Sequence, residues 1–308
     1  MRRLALVLLL PTLCGCYILT QAMGQLRVLL NSQRIDTLLA DPAVPDDVKL
    51  KLRLVREIKA FGEDELGLKP SSNYESFYDT KGQPITYIVS ACRKDRFQPH
   101  LWWFPIVGDV PYKGFFHKDD AVAEAKELEA QGYDVSLGTA AAYSTLGYFP
   151  DPVLSTMLEY PEEQLVALLL HELTHGTIYL PGGTDFNEGL ASFVGWQGAL
   201  EFARCRYGIG SEKYDRTVRA FASEERRDER ARDVFRKLDE LYKSGLSREE
   251  ILRKRDQVAG RKVNNAEILM SRRYGRYDEF RTKFERAKGE WRVFFDELVR
   301  EKKAGGRE

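Results

Sequence analysis

The sequence LVALLLHELTH occupies residues 165–175, and DFNEGLAS follows it at residues 185–192. Pro161 suits the first position of a helix because its missing N–H would have no partner there. Glu162 and Glu163 complement the positive end of the helix dipole. The apolar run is too continuous for a half-exposed helix face. The first stretch therefore predicts a buried helix that carries two histidines four residues apart.

These two histidines have the spacing of a metal site. His171 and His175 lie about one helical turn apart, so both imidazoles can bind one zinc ion, whereas Glu172 is rotated by about 100° and can face a water molecule. Zinc with three protein ligands and one open position lowers the pKa of its bound water to about 7, and a nearby carboxylate can then take the proton. The H-E-x-x-H pattern predicts a Zn²⁺ site with Glu172 as the general base.

A third ligand is available on the following segment. The first helix can end after Gly176, residues 181–183 predict a turn, and Asp185 begins a second apolar helix with Glu188 in its first turn. Two helices joined by a short loop lie antiparallel, so Glu188 can reach the metal. Two alternatives stay open. The histidines can be core residues with satisfied hydrogen bonds, and Asp185-x-x-Glu188 also matches a capping box in which Glu188 bonds backbone amides.

Several motifs of this chain resemble a known family, the predicted bacterial aminopeptidases, which are zinc metallopeptidases of the gluzincin type. The motifs are a lipoprotein-like N-terminus, YSTLGYF at 143–149, HELTH at 171–175 and FNEGLASF at 186–193. The resemblance implies that His171, His175 and Glu188 bind zinc and that Glu172 is the base. It also implies a peptide substrate from which N-terminal residues are removed. The residues themselves do not distinguish an aminopeptidase from an endopeptidase.

The resemblance further implies a side chain that stabilises the oxyanion formed on the attacked carbonyl. Tyr274 is the candidate catalytic tyrosine, and Tyr143, Tyr148 and Tyr179 are alternatives. In zinc peptidases the sheet edge beside the cleft pairs with an extended substrate. Residues 137–143 are predicted to form that edge, and an ordinary internal strand is the alternative. The predicted substrate-binding residues are Gly138, Thr139, Ala140, Ala141 and Tyr143.

Composition describes a globular chain without a strong charge bias. Its 308 residues, 43% of them hydrophobic, can bury one sizeable core or two modest ones. Lys plus Arg and Asp plus Glu both number 47, and no basic stripe is interleaved with aromatic residues, so we predict no nucleic-acid partner. Cys92 and Cys205 can form one disulfide in an oxidising compartment or remain buried thiols.

The N-terminus has the pattern of an export signal. Arg2 and Arg3 precede an apolar run at residues 4–13 that is too short for a membrane-spanning helix. Leu13-Cys14-Gly15-Cys16 resembles a bacterial lipobox, in which the last cysteine is lipidated and becomes the mature N-terminus. This predicts a lipid anchor on Cys16 at the bacterial cell envelope, in the outer membrane facing the periplasm. Cleavage by ordinary signal peptidase and an uncleaved buried helix are the alternatives.

The order of sequence patterns predicts an α+β, zincin-like fold. It would have a small, mostly antiparallel sheet, a metal-bearing helix pair and a large helical C-terminal region. Strands are predicted at residues 85–90, 101–107 and 133–137, and a helix at 119–131. The predicted segments are a signal peptide with a lipobox-like end (1–16), an N-terminal helical hairpin (17–67), a catalytic sheet and H-E-x-x-H helix region (68–200), and a charged helical region packing on the catalytic part (201–308).

Two functions follow from these patterns. The first is a zinc-dependent peptidase, an aminopeptidase by resemblance, tethered to the membrane. The second is a non-catalytic envelope lipoprotein in which the metal only holds the core together. In that case the helical C-terminal region, with both charge signs alternating along it, would serve as an interaction scaffold.

Overall fold

The computed structural model describes residues 10–104, 108–140, 142, 150–180, 183–273 and 277–305. The chain is a mixed α+β protein, mostly helical with small sheets. The helices are α1 (Leu10–Asn31), α2 (Ile35–Ala40), α3 (Asp46–Asp64), α4 (Lys118–Ala130), α5 (Glu162–Thr177), α6 (Thr184–Tyr207), α7 (Glu212–Tyr242), α8 (Arg248–Ala259), α9 (Asn265–Arg273), α10 (Tyr277–Arg286) and α11 (Trp291–Gly305). None of the helices in these ranges is long and apolar enough to cross a membrane.

The strands are short and form three small sheets within the described residues. They are β1 (Gln33–Arg34), β2 (Ser76–Tyr78), β3 (Tyr87–Arg93), β4 (Trp102–Phe104), β5 (Gly108–Val110), β6 (Lys113–Phe115), β7 (Tyr133–Thr139) and β8 (Val153–Leu154). The strand orders are β1-β2-β8, β6-β3-β7 and β4-β5. All pairs are antiparallel except β2 with β8. The α+β class is confirmed, but the strands are divided among three sheets rather than gathered in one.

The sheet β6-β3-β7 has a core of its own beneath α4. Val89 and Ala91 of the central strand are buried against Phe115, Ala121 and Leu128. Side chains alternate between the two faces of a strand, so these two residues of β3 share the face that packs on the helix. The sheet and α4 therefore form a compact layer beside the main helical core.

The main core surrounds α5 and α6. Apolar side chains of α3, such as Ile58, and of the C-terminal helices pack on this pair. The ring of Phe193 on α6 lies 5.8 Å from that of Phe284 and 5.8 Å from that of Phe294. Aromatic pairs at this separation add to the stability given by burial alone. The C-terminal helices α10 and α11 thus pack against α6 through these aromatic rings.

A glycine allows α5 and α6 to pack closely. A Cβ atom at Gly195 would lie 2.5 Å from the carbonyl oxygen of Ala167 and 3.3 Å from the Cβ of His171. No side chain fits there without displacing the α5 backbone. Because Gly195 follows Glu188 by seven residues, or two helical turns, it lies on the same face of α6 as that carboxylate. The close approach brings this face of α6 against the two histidines.

The N-terminal segment contains the helices α1, α2 and α3, with the short strand β1 between the first two. The described contacts of α1 are with the sheet region: the Tyr17 hydroxyl donates to the carbonyl of Gly114 at 2.8 Å, and its ring lies 5.8 Å from that of Phe104. Cys16 lies in α1, and its side chain is outside the described part of the structure. The proposed division into four segments stays a prediction. Cys92 and Cys205 are both free thiols, the first buried and the second exposed.

Candidate metal centre

Helix α5 carries the two histidines. Pro161 is its N-cap and Glu162 its first helical residue, one position later than predicted. The helix ends at Thr177, and the apolar residues Leu165, Leu169 and Leu170 are buried. The prediction of a buried helix across the H-E-x-x-H motif is therefore confirmed.

Helix α6 carries Glu188 near its start. Its N-cap is Gly183 rather than Asp185, and Gly183 has no side chain that could cap the first turn. Glu188 therefore does not form the capping box that the sequence also allowed. Asn187 connects the first turn of this helix to Leu180, because its amide donates to the carbonyl of Leu180 at 2.8 Å and accepts from the Leu180 N–H at 2.7 Å. This role of Asn187 was not predicted.

The two helices bring three ligand atoms together. The Nε2 atoms of His171 and His175 lie 3.2 Å apart. Oε2 of Glu188 lies 3.3 Å from Nε2 of His171 and 3.7 Å from Nε2 of His175. Ligand atoms about 2.0–2.1 Å from a tetrahedral zinc ion lie roughly 3.3–3.4 Å from one another. Two imidazoles and one carboxylate at this spacing fit zinc, and they are the one such group among the described residues.

The ligand group also has coupled charges. Burial raises the pKa of Glu188, but hydrogen bonds from His171 and His175 outweigh it and hold the pKa well below the usual range. Burial lowers the pKa of His175, whereas its hydrogen bond to Glu188 and the charges of Glu172 and Glu188 raise it more, so the net shift is upward. The carboxylate is therefore ionised and available as a ligand.

A hydroxyl lies behind the first histidine. Oγ of Ser192, one helical turn after Glu188, is 3.4 Å from Nδ1 of His171. Nδ1 of His175 is buried and has no hydrogen-bond partner in the described part of the chain. The second nitrogen of a metal-binding histidine is commonly held by a hydrogen bond that fixes the ring orientation. Only the spacing from Glu188 to Ser192 gave a sequence signal for this contact.

Tyr74 is a buried residue with an unusual backbone conformation. This tyrosine is 1% exposed and has a positive φ of 62°, and its N–H donates to the carbonyl of Asp151 at 2.7 Å. Burial raises the pKa of Tyr74 well above its ordinary value, and the charges of Glu172 and Asp151 raise it further. A non-glycine residue at positive φ is uncommon, and such strain often occurs near functional sites. The sequence gave no signal for this residue.

The predicted substrate edge is described only in part. Gly138 and Thr139 are exposed in β7, which lies at one end of the sheet order β6-β3-β7, and Ala140 follows directly. Tyr179 is 39% exposed just after α5. The remaining candidates lie outside the described residues: Ala141, Tyr143, Tyr148 and Tyr274. The substrate and oxyanion roles stay predictions.

Together, the fold and the site define a mixed α+β protein with a candidate metal centre of two histidines and one glutamate. The family model described as "Putative aminopeptidase" matches residues 16–262. The match covers well over half of the chain, so the protein belongs to this family, and a peptide substrate is implied by that membership. Comparison with curated proteins gives no match, and comparison with solved structures gives none either.

Proposed function

We propose that the protein is a zinc-dependent peptidase, acting as an aminopeptidase. The observation that carries this proposal is the spacing of the three ligand atoms, 3.2 to 3.7 Å apart, on two helices of a chain from an aminopeptidase family. His171, His175 and Glu188 would hold the ion. When bound, zinc supplies Lewis acidity, which polarises a peptide carbonyl and makes a water molecule more acidic.

The carboxylate of Glu172 performs the proton transfers. Glu172 follows His171 directly on α5, so it emerges about 100° around the helix and leaves the ligand positions to the imidazoles. It takes a proton from water as the oxygen attacks the peptide carbonyl, and it delivers a proton to the leaving amine when the C–N bond breaks. Glu172 is half-buried, which limits competition from bulk water.

Strand β7 offers backbone groups to a peptide. Its partner β3 covers one side, and residues 137–139 are exposed. An extended peptide added to this edge would gain backbone hydrogen bonds that tolerate many side chains. We infer that Gly138, Thr139 and Ala140 belong to the substrate-binding edge, and that a tyrosine, with Tyr274 as the first candidate, stabilises the oxyanion.

Substituting the base and a ligand separately tests this function. Glu172→Gln should retain stoichiometric zinc and lose about 10²–10⁴-fold in peptide hydrolysis, because the proton acceptor is removed and the ligands are not. Glu188→Ala should lose zinc as well as hydrolysis. Metal analysis and digestion of a peptide library with free and blocked N-termini are the measurements.

Three outcomes of this experiment would be decisive. A Glu172→Gln protein with full activity would end the proposed mechanism. Stoichiometric zinc in the native chain without turnover of any peptide would favour a non-catalytic lipoprotein scaffold. Hydrolysis of peptides with blocked N-termini would replace the aminopeptidase assignment with endopeptidase action.

We further propose that the mature chain is lipid-anchored through Cys16 at the bacterial outer membrane, facing the periplasm. The support is the lipobox-like sequence LCGC at residues 13–16 after a basic and apolar leader. Mass spectrometry of the N-terminal peptide tests the anchor, because acylated Cys16 has a defined mass increase. An unmodified N-terminal peptide containing Cys16 would contradict it.

A further inference from the structure

Helix α1 is apolar on the face that it turns to solvent. Its inner face is held by Tyr17 and by Val28, which is 2% exposed. On its outer face Met23 is 63% exposed, Leu26 54% and Leu30 74%. These three side chains follow one another at intervals of three and four residues, so they form one stripe along the helix.

The stripe lies on the same helix as Cys16, the predicted lipid attachment point. Position 16 precedes Met23 by seven residues, which is about two helical turns, and the α1 backbone is helical across both positions. Positions 16, 23, 26 and 30 are separated by intervals of 7, 3 and 4 residues, which span about 21 Å of helix at 1.5 Å per residue. The backbone at position 16 therefore lies on the same face of α1 as the exposed stripe, about two turns before Met23.

The part of α1 that directly follows position 16 is fixed to the body of the protein. Tyr17, the residue after Cys16, donates to the carbonyl of Gly114 in β6, and Nε2 of Gln21 donates to the same oxygen at 3.3 Å. The Tyr17 ring also packs on Phe104 and Phe115, with centroid distances of 5.8 and 6.0 Å. A membrane attached at position 16 is thus held next to α1 and not at the end of a long tether.

The charge of α1 suits a phospholipid surface. Residues 10–31 contain no acidic side chain, and Arg27 is exposed beside the stripe without an ion pair in the described part of the chain. Helices that lie in a membrane interface combine an apolar stripe with basic residues next to it. Because α1 has no acidic side chain, no charge on this helix would repel the anionic headgroups of the bilayer.

We propose that the outer stripe of α1, formed by Met23, Leu26 and Leu30, lies in the surface of the phospholipid bilayer that holds the lipid on Cys16. This inference rests on the proposed anchor. The second contact with the membrane would fix the orientation of the whole protein. Strand β6 then lies on the membrane-bound side of its sheet, and β7, with the candidate substrate edge, lies beyond β3.

A fluorescent label on the stripe tests the proposal. The acylated full chain carrying Leu26→Cys and Cys205→Ser is labelled with an environment-sensitive dye and placed in vesicles of phosphatidylethanolamine and phosphatidylglycerol. The matched control carries the dye on native Cys205, which is exposed on α6 and outside the stripe. We expect blue-shifted emission and quenching by nitroxide-labelled lipids at position 26, and neither effect at position 205.

A polar stripe gives a second measurement. Met23→Gln, Leu26→Gln and Leu30→Gln together, in a Cys16→Ser chain that cannot be acylated, should lower vesicle binding by about tenfold or more. The control replaces three other exposed apolar residues by Gln, at Leu50, Ile209 and Val218, and should bind like the Cys16→Ser parent. Equal binding of the polar-stripe chain and this control would overturn the inference.

The remaining outcomes separate the stripe from the anchor. Acylated protein, verified by mass spectrometry, with a water-exposed label at position 26 would overturn the inference and leave the anchor standing. An emission shift that rises with protein concentration and is not quenched by nitroxide lipids would mean that a second copy covers the stripe, which also overturns it. An unmodified Cys16 would overturn both proposals.

Discussion

At the residue scale, we expect the contact of Ser192 with His171 to affect metal affinity at the candidate site. Its hydroxyl lies 3.4 Å from Nδ1 of His171 and can accept that N–H, which leaves Nε2 free to bind the ion. Loss of such a partner typically lowers metal affinity by about 10–100-fold. Ser192→Ala should therefore weaken zinc binding by about tenfold or more while the chain stays folded, as measured by competition with a calibrated chelator.

A neighbouring hydroxyl provides the control for Ser192. Thr174 is 1% exposed on α5, and its hydroxyl donates to the carbonyl of Leu170 at 2.7 Å, within its own helix. Thr174→Val removes a buried hydroxyl without touching either imidazole, so zinc affinity should stay within about threefold of the native value. If both variants weaken zinc equally, the effect is general destabilisation and Ser192 does not position His171.

The two thiols should differ strongly in reactivity. Cys92 is buried, its Sγ donates to the carbonyl of Arg96 at 3.5 Å, and burial raises its pKa to about 12. Only the thiolate reacts with alkylating reagents, so at pH 8 Cys205 should be modified and Cys92 should not. In denaturant both thiols should react. Peptide mapping after iodoacetamide treatment measures the extent of alkylation at each cysteine. Rapid modification of Cys92 in the native chain would contradict the prediction.

The same thiol gives a signed pH dependence. The folded pKa of Cys92 is raised, so below the ordinary thiol pKa, about 8.5, both folded and unfolded chains are protonated and Cys92 has no effect on the pH dependence. Between that pH and about 12 only the unfolded chain loses the proton. The free energy of unfolding should therefore fall across this window, and Cys92→Ala should reduce the slope.

The residues of the candidate metal site were predictable to different degrees. His171 and His175 belong to one local pattern, and Glu188 follows after a single short turn, so helix geometry indicated that these three side chains can come together. Ser192 and Tyr74 were not predicted. The Ser192 contact depends on how α6 packs on α5, which the spacing from Glu188 indicates but does not fix. Tyr74 is part of the main core, and no local pattern predicts its position.

At the element scale, the close approach of α5 and α6 supports the site. Gly195→Ala should lower the free energy of unfolding by about 1–3 kcal/mol, because the new Cβ meets the Ala167 carbonyl oxygen, which is backbone and cannot turn aside. It should also weaken zinc binding, since the added methyl group lies next to His171. Thermal and denaturant unfolding, with and without zinc, measure both effects.

A second helical glycine is the control for this packing. Gly176 lies in the last turn of α5, and a Cβ there would meet nothing within 4 Å. Gly176→Ala should therefore raise the free energy of unfolding by up to about 1 kcal/mol, because alanine has the higher helix propensity. Equal destabilisation by both substitutions would show that the close contact at Gly195 is not what holds the helix pair together.

Most helices and strands were predictable from the sequence, but the pairing of the strands into sheets was not. The helix predicted at 119–131 is α4 at Lys118–Ala130, and the strand at 133–137 begins β7. The strand predicted at 101–107 corresponds to β4 at Trp102–Phe104, and its remaining residues, 105–107, lie outside the described residues. Hydrophobic residues at every second position indicate a strand, but they do not indicate which other strand it pairs with. The division into three sheets could therefore not be predicted from the sequence.

At the scale of the whole molecule, one buried ion pair joins the charged C-terminal helices to the sheet. Arg255 of α8 donates to both carboxylate oxygens of Asp134 in β7, at 2.7 and 3.1 Å, and the two side chains are 11% and 8% exposed. The Asn265 N–H donates to the same carboxylate at 2.9 Å. The alternating charge of this region gave no sign that Arg255 is buried, because one buried cation does not alter the pattern.

Breaking this pair should show how strongly the C-terminal helices depend on the sheet. Arg255→Met keeps the length of the side chain but leaves Asp134 buried without its cation, so the free energy of unfolding should fall by about 3–5 kcal/mol. The matched control is Arg248→Met on the same helix, whose side chain is 61% exposed and 3.8 Å from Asp95, and it should cost less than about 1 kcal/mol. Adding Asp134→Asn to Arg255→Met should recover part of the loss, because no unpaired charge then remains in the interior. Denaturant unfolding of the three variants measures these free energies. If Arg255→Met lowers the free energy of unfolding by less than about 1 kcal/mol, α8 and α9 are held by their apolar contacts alone.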